Sequence, residues 1–261
     1  MYSKGTGGNF EHLFICDWAS ALFVNFEVDQ NILRREVPYE LDTFDGKAYV
    51  SLVAFTIRRL RPRFGGRVGE WLFSPIGTHG FLNVRTYVRH RGVVGIYFMM
   101  EWLDNRLSVL MGPPTFGLPY RYGKLDYRHD EKNGILSDSV QAGNERFVSR
   151  ATFDPNRKFT ACARGSVDNF IMERYVAFTA RGARRLLFKV GHDAWMQTPV
   201  NVAIQDAGLL VRHCTWYPSA KLSGANYSPG VCDVAVGFPQ RVGAGIHTPA
   251  VVRPSMAGSS R

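Results

Sequence analysis

The chain has 261 residues, of which 45% are hydrophobic and 21% are charged, values that are typical of a globular protein and exclude general disorder. No apolar run approaches the length that crosses a bilayer, and the first residues lack the charged-then-apolar pattern of a signal peptide, so we expect no membrane partner. The net charge of +10 is compatible with nucleic acid or another anionic partner. The distribution of the arginines along the chain decides whether such a partner is expected.

The first half of the chain predicts strands with one short helix. Residues 1–9 form a Gly-rich lead, and residues 13–28 are rich in the aromatic and β-branched residues of a strand. Asp29 is placed to cap a short helix through residues 33–35. A second strand is predicted over residues 48–55.

The densest group of positive charges runs from Arg58 to Arg63 and continues to Arg67, in a segment that we interpret as a loop. The other arginines are scattered, and the sequence contains no helix-turn-helix pattern, no paired Cys/His ligands and no ribonucleoprotein motif. We therefore expect a solvated basic surface and no specific nucleic-acid partner.

The central stretch, residues 81–127, organises the rest of the chain. Polar and apolar side chains alternate over residues 83–89, as in a half-buried strand, whereas residues 93–100 are apolar on both faces. A third strand is predicted over residues 107–111, followed by a Pro-bracketed aromatic loop over residues 113–120. The pattern fits a strand that lines a cavity, and it also fits an ordinary sheet with its polar face in water; periodicity alone favours the second interpretation.

The second half of the chain predicts a meander of strands and one helix. Strands are expected at residues 135–139, 146–153, 159–163 and 186–190. Ser166 is a good N-cap for a helix that places Glu173 and Arg174 on a solvated face. That helix would carry on its apolar face Val167, Phe170, Ile171, Tyr175 and Phe178.

No linker or repeat divides the chain, so we expect one mainly β domain over residues 1–240 and a loose tail over residues 241–261. Its cysteines are far apart and include no Cys-x-x-Cys pair, which indicates reduced thiols in a cytoplasmic protein. The histidines lack ligand spacing, and no P-loop, Gly-x-Gly-x-x-Gly, Gly-x-Ser-x-Gly or His-Glu-x-x-His motif is present, so we expect no metal and no cofactor. The four cysteines are Cys16, Cys162, Cys214 and Cys232.

Several short motifs, taken in order, resemble one family. They are Leu41-Asp42-Thr43-Phe44-Asp45-Gly46-Lys47-Ala48-Tyr49, Asn83-Val84-Arg85-Thr86-Tyr87-Val88, Gly95-Ile96-Tyr97-Phe98, Leu118-Pro119-Tyr120, Phe170-Ile171-Met172-Glu173-Arg174-Tyr175 and His192-Asp193-Ala194-Trp195. This succession resembles the uncharacterised YqjF-like family of the acetoacetate decarboxylase-like superfamily. The resemblance implies a closed, cone-shaped antiparallel β-barrel with a few flanking helices and a central cavity, and it implies no particular reaction.

The resemblance also bears on catalysis. In acetoacetate decarboxylase a lysine after an aromatic-Pro pair forms a Schiff base, and the matching position here is Tyr120, which cannot form an imine. Lys124 is the nearest amine; in an extended chain it lies on the same face as Tyr120 but roughly 13 Å further along. Lys124 and Glu101 are the catalytic candidates that remain.

The alternation predicts a ligand site as well. We expect Arg85 to be the central cation of a partly closed pocket, with Asn83, Tyr87 and Tyr120 near it and Glu101 as its acidic group. The alternative for Glu101 is the end of a strand in water.

Three functions follow from these patterns. The first is a barrel that binds a small carboxylate or carbonyl compound. The second is a structural or interaction domain with a filled barrel, and the third is a basic nucleic-acid-binding protein, which requires one continuous basic face from Arg58 to Arg67. The oligomeric state is left open.

Overall fold

The computed structural model describes residues 10–242; the expected lead, residues 1–9, and residues 243–261 of the expected tail lie outside this range. As expected, the described chain is mainly β. In chain order its strands are β1 (His12–Val28), β2 (Glu40–Leu41), β3 (Ala48–Pro62), β4 (His79–His90), β5 (Val93–Leu103), β6 (Tyr120–Tyr122), β7 (Lys124–Asp130), β8 (Ile135–Ala142), β9 (Glu145–Thr152), β10 (Thr160–Ala161), β11 (Val176–Arg181), β12 (Arg184–Gly191), β13 (Met196–Pro199), β14 (Asn201–Asp206), β15 (Lys221–Gly237) and β16 (Gln240–Arg241).

Five α-helices connect the strands of this range. They are α1 (Gln30–Glu36), α2 (Gly66–Phe73), α3 (Arg106–Phe116), α4 (Val167–Met172) and α5 (Gly208–His213). A short 3-10 helix, Ser74–Ile76, follows α2 directly. Within residues 10–242 no helix is long and apolar enough to cross a membrane.

One large sheet of twelve strands forms the body of the protein. Its main path runs β10-β13-β15-β1-β3-β4-β5-β11-β12-β16, with β2 beside β4 and β6 beside β5. A further pairing joins β12 to β15, at Val190↔Val236 and Gly191↔Ala235. The pairings are antiparallel except at β5–β11 and β5–β6, which are parallel, so the expectation of an antiparallel sheet is wrong at those two places.

A second sheet of four antiparallel strands, in the order β14-β9-β8-β7, packs on one face of the large sheet. The alternation of strand residues explains the two cores, because successive side chains point to opposite faces. Along β3, Val50, Leu52 and Ala54 join the core shared with the second sheet. Tyr49, Val53 and Phe55 of the same strand join a separate core on the other face. Both faces of this part of β3 are therefore buried, which explains why it is apolar on both faces.

The structure confirms several predicted elements. Asp29 caps α1, with its carboxylate accepting from the Asn31 N–H at 2.7 Å. The central hairpin of β4 and β5 turns at Arg91 and Gly92, which both have positive φ, at 50° and 79°. Positive φ at both central residues is the geometry of a two-residue hairpin turn.

Three predicted elements are wrong. Residues 107–111 form part of α3 and not a strand, because the Asn105 side chain caps the helix by accepting from the Ser108 N–H at 2.9 Å. The helix after Ser166 ends at Met172, and Phe178 lies in β11. The basic segment is not a loop: its first part belongs to β3 and its last part begins α2.

Candidate functional site

A cavity of about 180 Å³ lies on the face of the large sheet opposite the second sheet. Strand β4 faces it with every second residue, from His79 through Phe81 and Asn83 to Arg85, as the period of a strand requires. Strand β5 adds Glu101. Most other lining side chains are apolar and come from β1, β3, α3 and β12; they include Phe14, Trp18, Val53, Phe55, Ile57, Leu60, Met111, Phe116, Phe188 and Val190.

Arg85 is one of the two arginines that line this cavity. The residue is 6% exposed, its Nη2 donates to the Ile171 carbonyl oxygen at 3.2 Å, and its guanidinium lies 5.3 Å from the centre of the Phe23 ring. No carboxylate among residues 10–242 forms an ion pair with it, and its Nε has no hydrogen-bond partner there. A charge that is buried without a direct counter-ion carries a large desolvation cost.

Glu101 faces the same cavity, and its Cα lies opposite that of Asn83 in the β4–β5 register. The residue is 2% exposed, so the alternative that it marks a strand end in water is wrong. Burial holds the pKa of its carboxyl well above the ordinary value, and the charge of Arg85 opposes this only in part. Within the described chain, neither Glu101 Oε2 nor Asn83 Oδ1 has a hydrogen-bond partner.

Tyr120 lies beside Glu101, because β6 pairs with β5 in parallel at these two residues. Its side chain lines the cavity, and its ring packs edge-on against Phe81 with 5.7 Å between the ring centres. Burial raises the pKa of the Tyr120 phenol well above its ordinary value, with smaller contributions from the charges of Glu101 and Cys16. The phenol therefore stays protonated at neutral pH and offers an O–H donor.

Two predicted residues do not reach the cavity. Tyr87 lies on the cavity face of β4, but the Phe170 ring of α4 packs over it with 5.0 Å between ring centres, and its hydroxyl is 2.6 Å from Ser51 Oγ. Lys124 is exposed in β7, opposite Gln141 of the second sheet. The extended path that would put it on the same face as Tyr120 ends at Gly123, where the chain leaves the large sheet for the smaller one.

The cavity also contains residues that the sequence did not place there, although the pair His192-Asp193 is a weak acid–base candidate by sequence. His79 is buried, and burial lowers its pKa to about 4. His192 is also buried, which lowers its pKa, and its Nδ1 donates to the Asp193 carbonyl oxygen at 2.7 Å. Both imidazoles are therefore neutral at pH 7. The motif His192-Asp193-Ala194-Trp195 was the signal for one of them, but no local pattern places it near Arg85.

Arg174 also lines the cavity, and the prediction of a solvated mid-helix position for it is wrong. Its Nη1 pairs with Asp42 Oδ2 at 2.8 Å, and its Nε donates to the Phe170 carbonyl oxygen at 2.6 Å. Glu173, predicted on the same solvated face, accepts from the Trp195 N–H at 2.9 Å and from the Tyr175 hydroxyl. These contacts bring together motifs that are far apart in the sequence, because they link Asp42 to Arg174 and Glu173 to Trp195.

The described side chains of the cavity leave one charge unbalanced. The positive charge of Arg174 is balanced by Asp42, the histidines are neutral, and the raised pKa of Glu101 favours its uncharged acid. Arg85 is left as the unbalanced charge. The site thus combines one cation without a paired carboxylate in the described chain, the O–H donor of Tyr120, the buried carboxyl of Glu101 with its raised pKa, and an apolar wall. Among the described residues, no group of three His, Cys, Asp or Glu side chains is placed to hold a metal ion.

The chain is similar to known proteins in sequence and in fold. Residues 16–232 match the model of the family DUF2071, described as an uncharacterized conserved protein. The uncharacterized protein YqjF of Bacillus subtilis (strain 168) is 34% identical over 188 residues, which cover 69% of this chain and 72% of that protein.

Solved structures agree on the fold. The acetoacetate decarboxylase of Legionella pneumophila matches with a TM-score of 0.63 at 12% identity, covering 88% of this chain and 87% of that one. The enduracididine biosynthesis enzyme MppR, complexed with pyruvate, matches with a TM-score of 0.61 at 12% identity, covering 90% and 92%. An acetoacetate decarboxylase-like enzyme from Sphingomonas wittichii RW1 matches with a TM-score of 0.57 at 14% identity, covering 89% and 94%. At these identities the likeness concerns the fold alone. The chain therefore belongs to the DUF2071 family and has the fold of the acetoacetate decarboxylase-like proteins.

Proposed function

We propose that the large sheet is a closed barrel whose cavity binds a small organic acid with a carbonyl group and an apolar body. One observation carries the proposal: the buried Arg85 guanidinium faces the cavity without a directly paired carboxylate among residues 10–242. A carboxylate ligand would supply the missing counter-charge. A guanidinium can also hold it through two parallel hydrogen bonds, and its Nε is available for one of them.

The polar groups near Arg85 indicate that the ligand carries a carbonyl group as well as a carboxylate. The Tyr120 phenol offers an O–H donor, which suits a carbonyl oxygen, and the raised pKa of the Glu101 carboxyl favours the acid form that would offer a second one. The remaining wall is mostly apolar, and about 180 Å³ is below the roughly 300–1,000 Å³ of pockets for drug-sized ligands. The ligand is accordingly small, with a short apolar substituent. MppR, which shares the fold, forms a complex with pyruvate, a compound of the same chemical class.

The same cavity argues against an imine mechanism. No lysine is among the described residues that line it, and Tyr120 stands where the resemblance places the Schiff-base lysine. Lys124 is exposed on the other sheet. The function is therefore binding, with or without turnover, but without decarboxylation through a lysine imine. After borohydride treatment with acetoacetate, mass spectrometry should find no reduced adduct; an adduct on Lys124 would contradict this.

The two other functions have less support. A filled barrel leaves no cavity, and a cavity is present. A nucleic-acid face requires a continuous row of free arginines, but Arg59 pairs with Asp17, and Arg61 pairs with Asp233 at 3.2 Å.

The test is calorimetric titration with pyruvate, acetoacetate and 4-oxopentanoate, and with 2-butanone as the control that lacks a carboxylate. We expect at least one oxo acid to bind and 2-butanone not to bind. Arg85→Lys should weaken binding at least tenfold, because an ammonium cannot reproduce the two-point contact. The matched control is Arg128→Lys, at an exposed arginine of β7. Equal affinity of Arg85→Lys and the native protein would overturn the assignment.

A further inference from the structure

The basic segment, Arg58 to Arg67, and helix α2 present an exposed surface that the proposed binding of a small acid does not involve. We propose that this surface docks the protein on an anionic lipid membrane. This replaces the expectation of no membrane partner, which rested on the absence of a spanning segment; a peripheral contact needs none.

Helix α2 turns its apolar side outward. Trp71 is 73% exposed, and Phe64, Val68 and Leu72 are each at least 60% exposed. Val68, Trp71 and Leu72 are spaced i, i+3 and i+4, which puts them on one face of the helix. The buried residue of α2 is Gly69, on the side that faces the fold, where a Cβ would lie 2.8 Å from the Phe64 carbonyl oxygen. The helix thus packs through its backbone and presents its large side chains to solvent.

Helix α3 repeats the arrangement next to it. Leu107, Leu110 and Met111 have the same spacing, and each is at least 40% exposed. The short helix Ser74–Ile76 connects the two, since the Asn105 side-chain amide donates to the Pro75 carbonyl oxygen at 2.7 Å. Met111 also lines the cavity, as does Phe73 at the end of α2. We call the exposed residues of the two helices, together with Phe64, the apolar rim. Large apolar side chains exposed on two helices that meet the same short connecting helix indicate an interaction surface.

The charges around the apolar rim indicate which kind of partner binds there. Arg63 lies against the rim, with its guanidinium 5.3 Å from the centre of the Phe64 ring, and Arg67 is on α2 itself. Neither has an acidic partner among residues 10–242. The acid of α2, Glu70, lies 4.0 Å from Arg61. Exposed Trp, Phe and Leu beside free arginines are the composition of a surface that enters the headgroup region of anionic lipid.

A second copy of the chain fits less well. A two-fold interface uses the same patch on both subunits, so the arginines of one rim would face the arginines of the other. Like charges across an interface oppose association, whereas an anionic lipid surface neutralises the same arginines. Contact at the rim would also bring the side of the cavity lined by Phe73 and Met111 against the membrane.

The test is sedimentation with vesicles of phosphatidylcholine alone and with 30% phosphatidylglycerol, using the full chain. We expect binding to the anionic vesicles that weakens at high salt, with a blue shift of tryptophan fluorescence. Trp71→Ser should reduce binding at least tenfold and remove that shift. Replacing Arg63 and Arg67 together by Ser should reduce binding about 25-fold, at about fivefold for each arginine. The positions are exposed, so the variants should fold normally, as circular dichroism would verify.

The control variants are Val211→Ser, an exposed apolar residue of α5, and Arg128→Ser, an exposed arginine of β7. Neither should change the affinity for vesicles. Three results would overturn the proposal: no binding to anionic vesicles, equal losses in the controls, or a dimer in sedimentation velocity that Trp71→Ser dissociates. Tighter binding to a single-stranded oligonucleotide than to the vesicles would assign the surface to nucleic acid instead.

Discussion

The buried ion pair between Asp42 and Arg174 gives a stringent test of how the motifs assemble. Asp42 follows β2 and is 6% exposed; its Oδ2 accepts from Arg174 and its Oδ1 from Arg89, each at 2.8 Å. Arg174 is 8% exposed and lies 4.1 Å from the centre of the Phe170 ring. Asp42→Asn keeps the size of the side chain but removes its negative charge. The guanidinium of Arg174 would then remain charged and buried, with the Phe170 carbonyl as its hydrogen-bond acceptor.

The magnitude follows from this geometry. Breaking a buried pair by removing one partner costs roughly 3–5 kcal/mol, because the remaining charge is uncompensated. The pair between Asp42 and Arg89 is different, because the Arg89 side chain is 49% exposed. An exposed pair contributes about 0–1 kcal/mol. Asp42→Asn should therefore lower the free energy of unfolding by roughly 3–5 kcal/mol, and Arg89→Met by no more than about 1 kcal/mol.

Urea titration monitored by circular dichroism measures both variants against the native protein. Asp42→Asn should lower the midpoint with an unchanged slope, since the slope follows the surface exposed on unfolding. At about 2–4 °C per kcal/mol for a domain of this size, the melting temperature should fall by roughly 6–20 °C. If Asp42→Asn costs no more than Arg89→Met, the Asp42–Arg174 pair does not hold these motifs together, and the reasoning fails.

Three further changes test other parts of the structure. Burial raises the pKa of Glu101 above its ordinary 4.5, so the folded protein keeps a proton that the unfolded chain loses, and stability must fall as pH rises from 4.5 towards the raised pKa. In urea titrations at pH 4 to 8, Glu101→Gln should remove this fall and leave the free energy of unfolding at pH 4 unchanged. A variant that loses stability with pH as the native protein does would contradict the burial argument. Gly95→Ala should lower stability by roughly 1–3 kcal/mol in urea, because its Cβ would lie 2.4 Å from the Val176 carbonyl oxygen; a cost near zero would show that β5 and β11 separate easily. Iodoacetamide should label the exposed Cys232 well before Cys16, whose pKa burial raises to about 12, and equal rates by mass spectrometry would show that Cys16 is accessible.

The elements that the sequence predicted correctly are those with a purely local signal. Asp29 caps α1 through its own side chain, and the strand at residues 48–55 is buried on both faces, so composition and periodicity were sufficient. The hairpin between β4 and β5 carries its own turn at Gly92. The motifs supplied what the periodicity could not, namely which fold these strands build.

The elements that were missed depend on contacts distant in sequence. Phe178 continues the helical spacing begun at Val167, yet it is drawn into β11 because residues 176–181 pair with β12 and Ala177–Phe178 with β5. Tertiary pairing overrides the end of a helical pattern of this kind. In β3, Arg58 and Arg61 pair with β1 and extend a strand that charge alone had assigned to a loop.

The same distinction between local patterns and contacts distant in sequence applies to the residues of the site. Alternation placed Asn83 and Arg85 on one face of β4, and both line the cavity, whereas the same alternation also selected Tyr87, which α4 covers. Periodicity fixes the face of a strand but not where along that face a cavity ends, since the end is set by whatever packs there. Glu101 reaches the cavity for the complementary reason. Its isolation among apolar neighbours indicates burial, and the register puts it opposite Asn83, in the cavity that Arg85 also lines. A buried cation near a buried carboxyl is costly for folding alone, and the small organic acid that we propose as the ligand would supply the counter-charge.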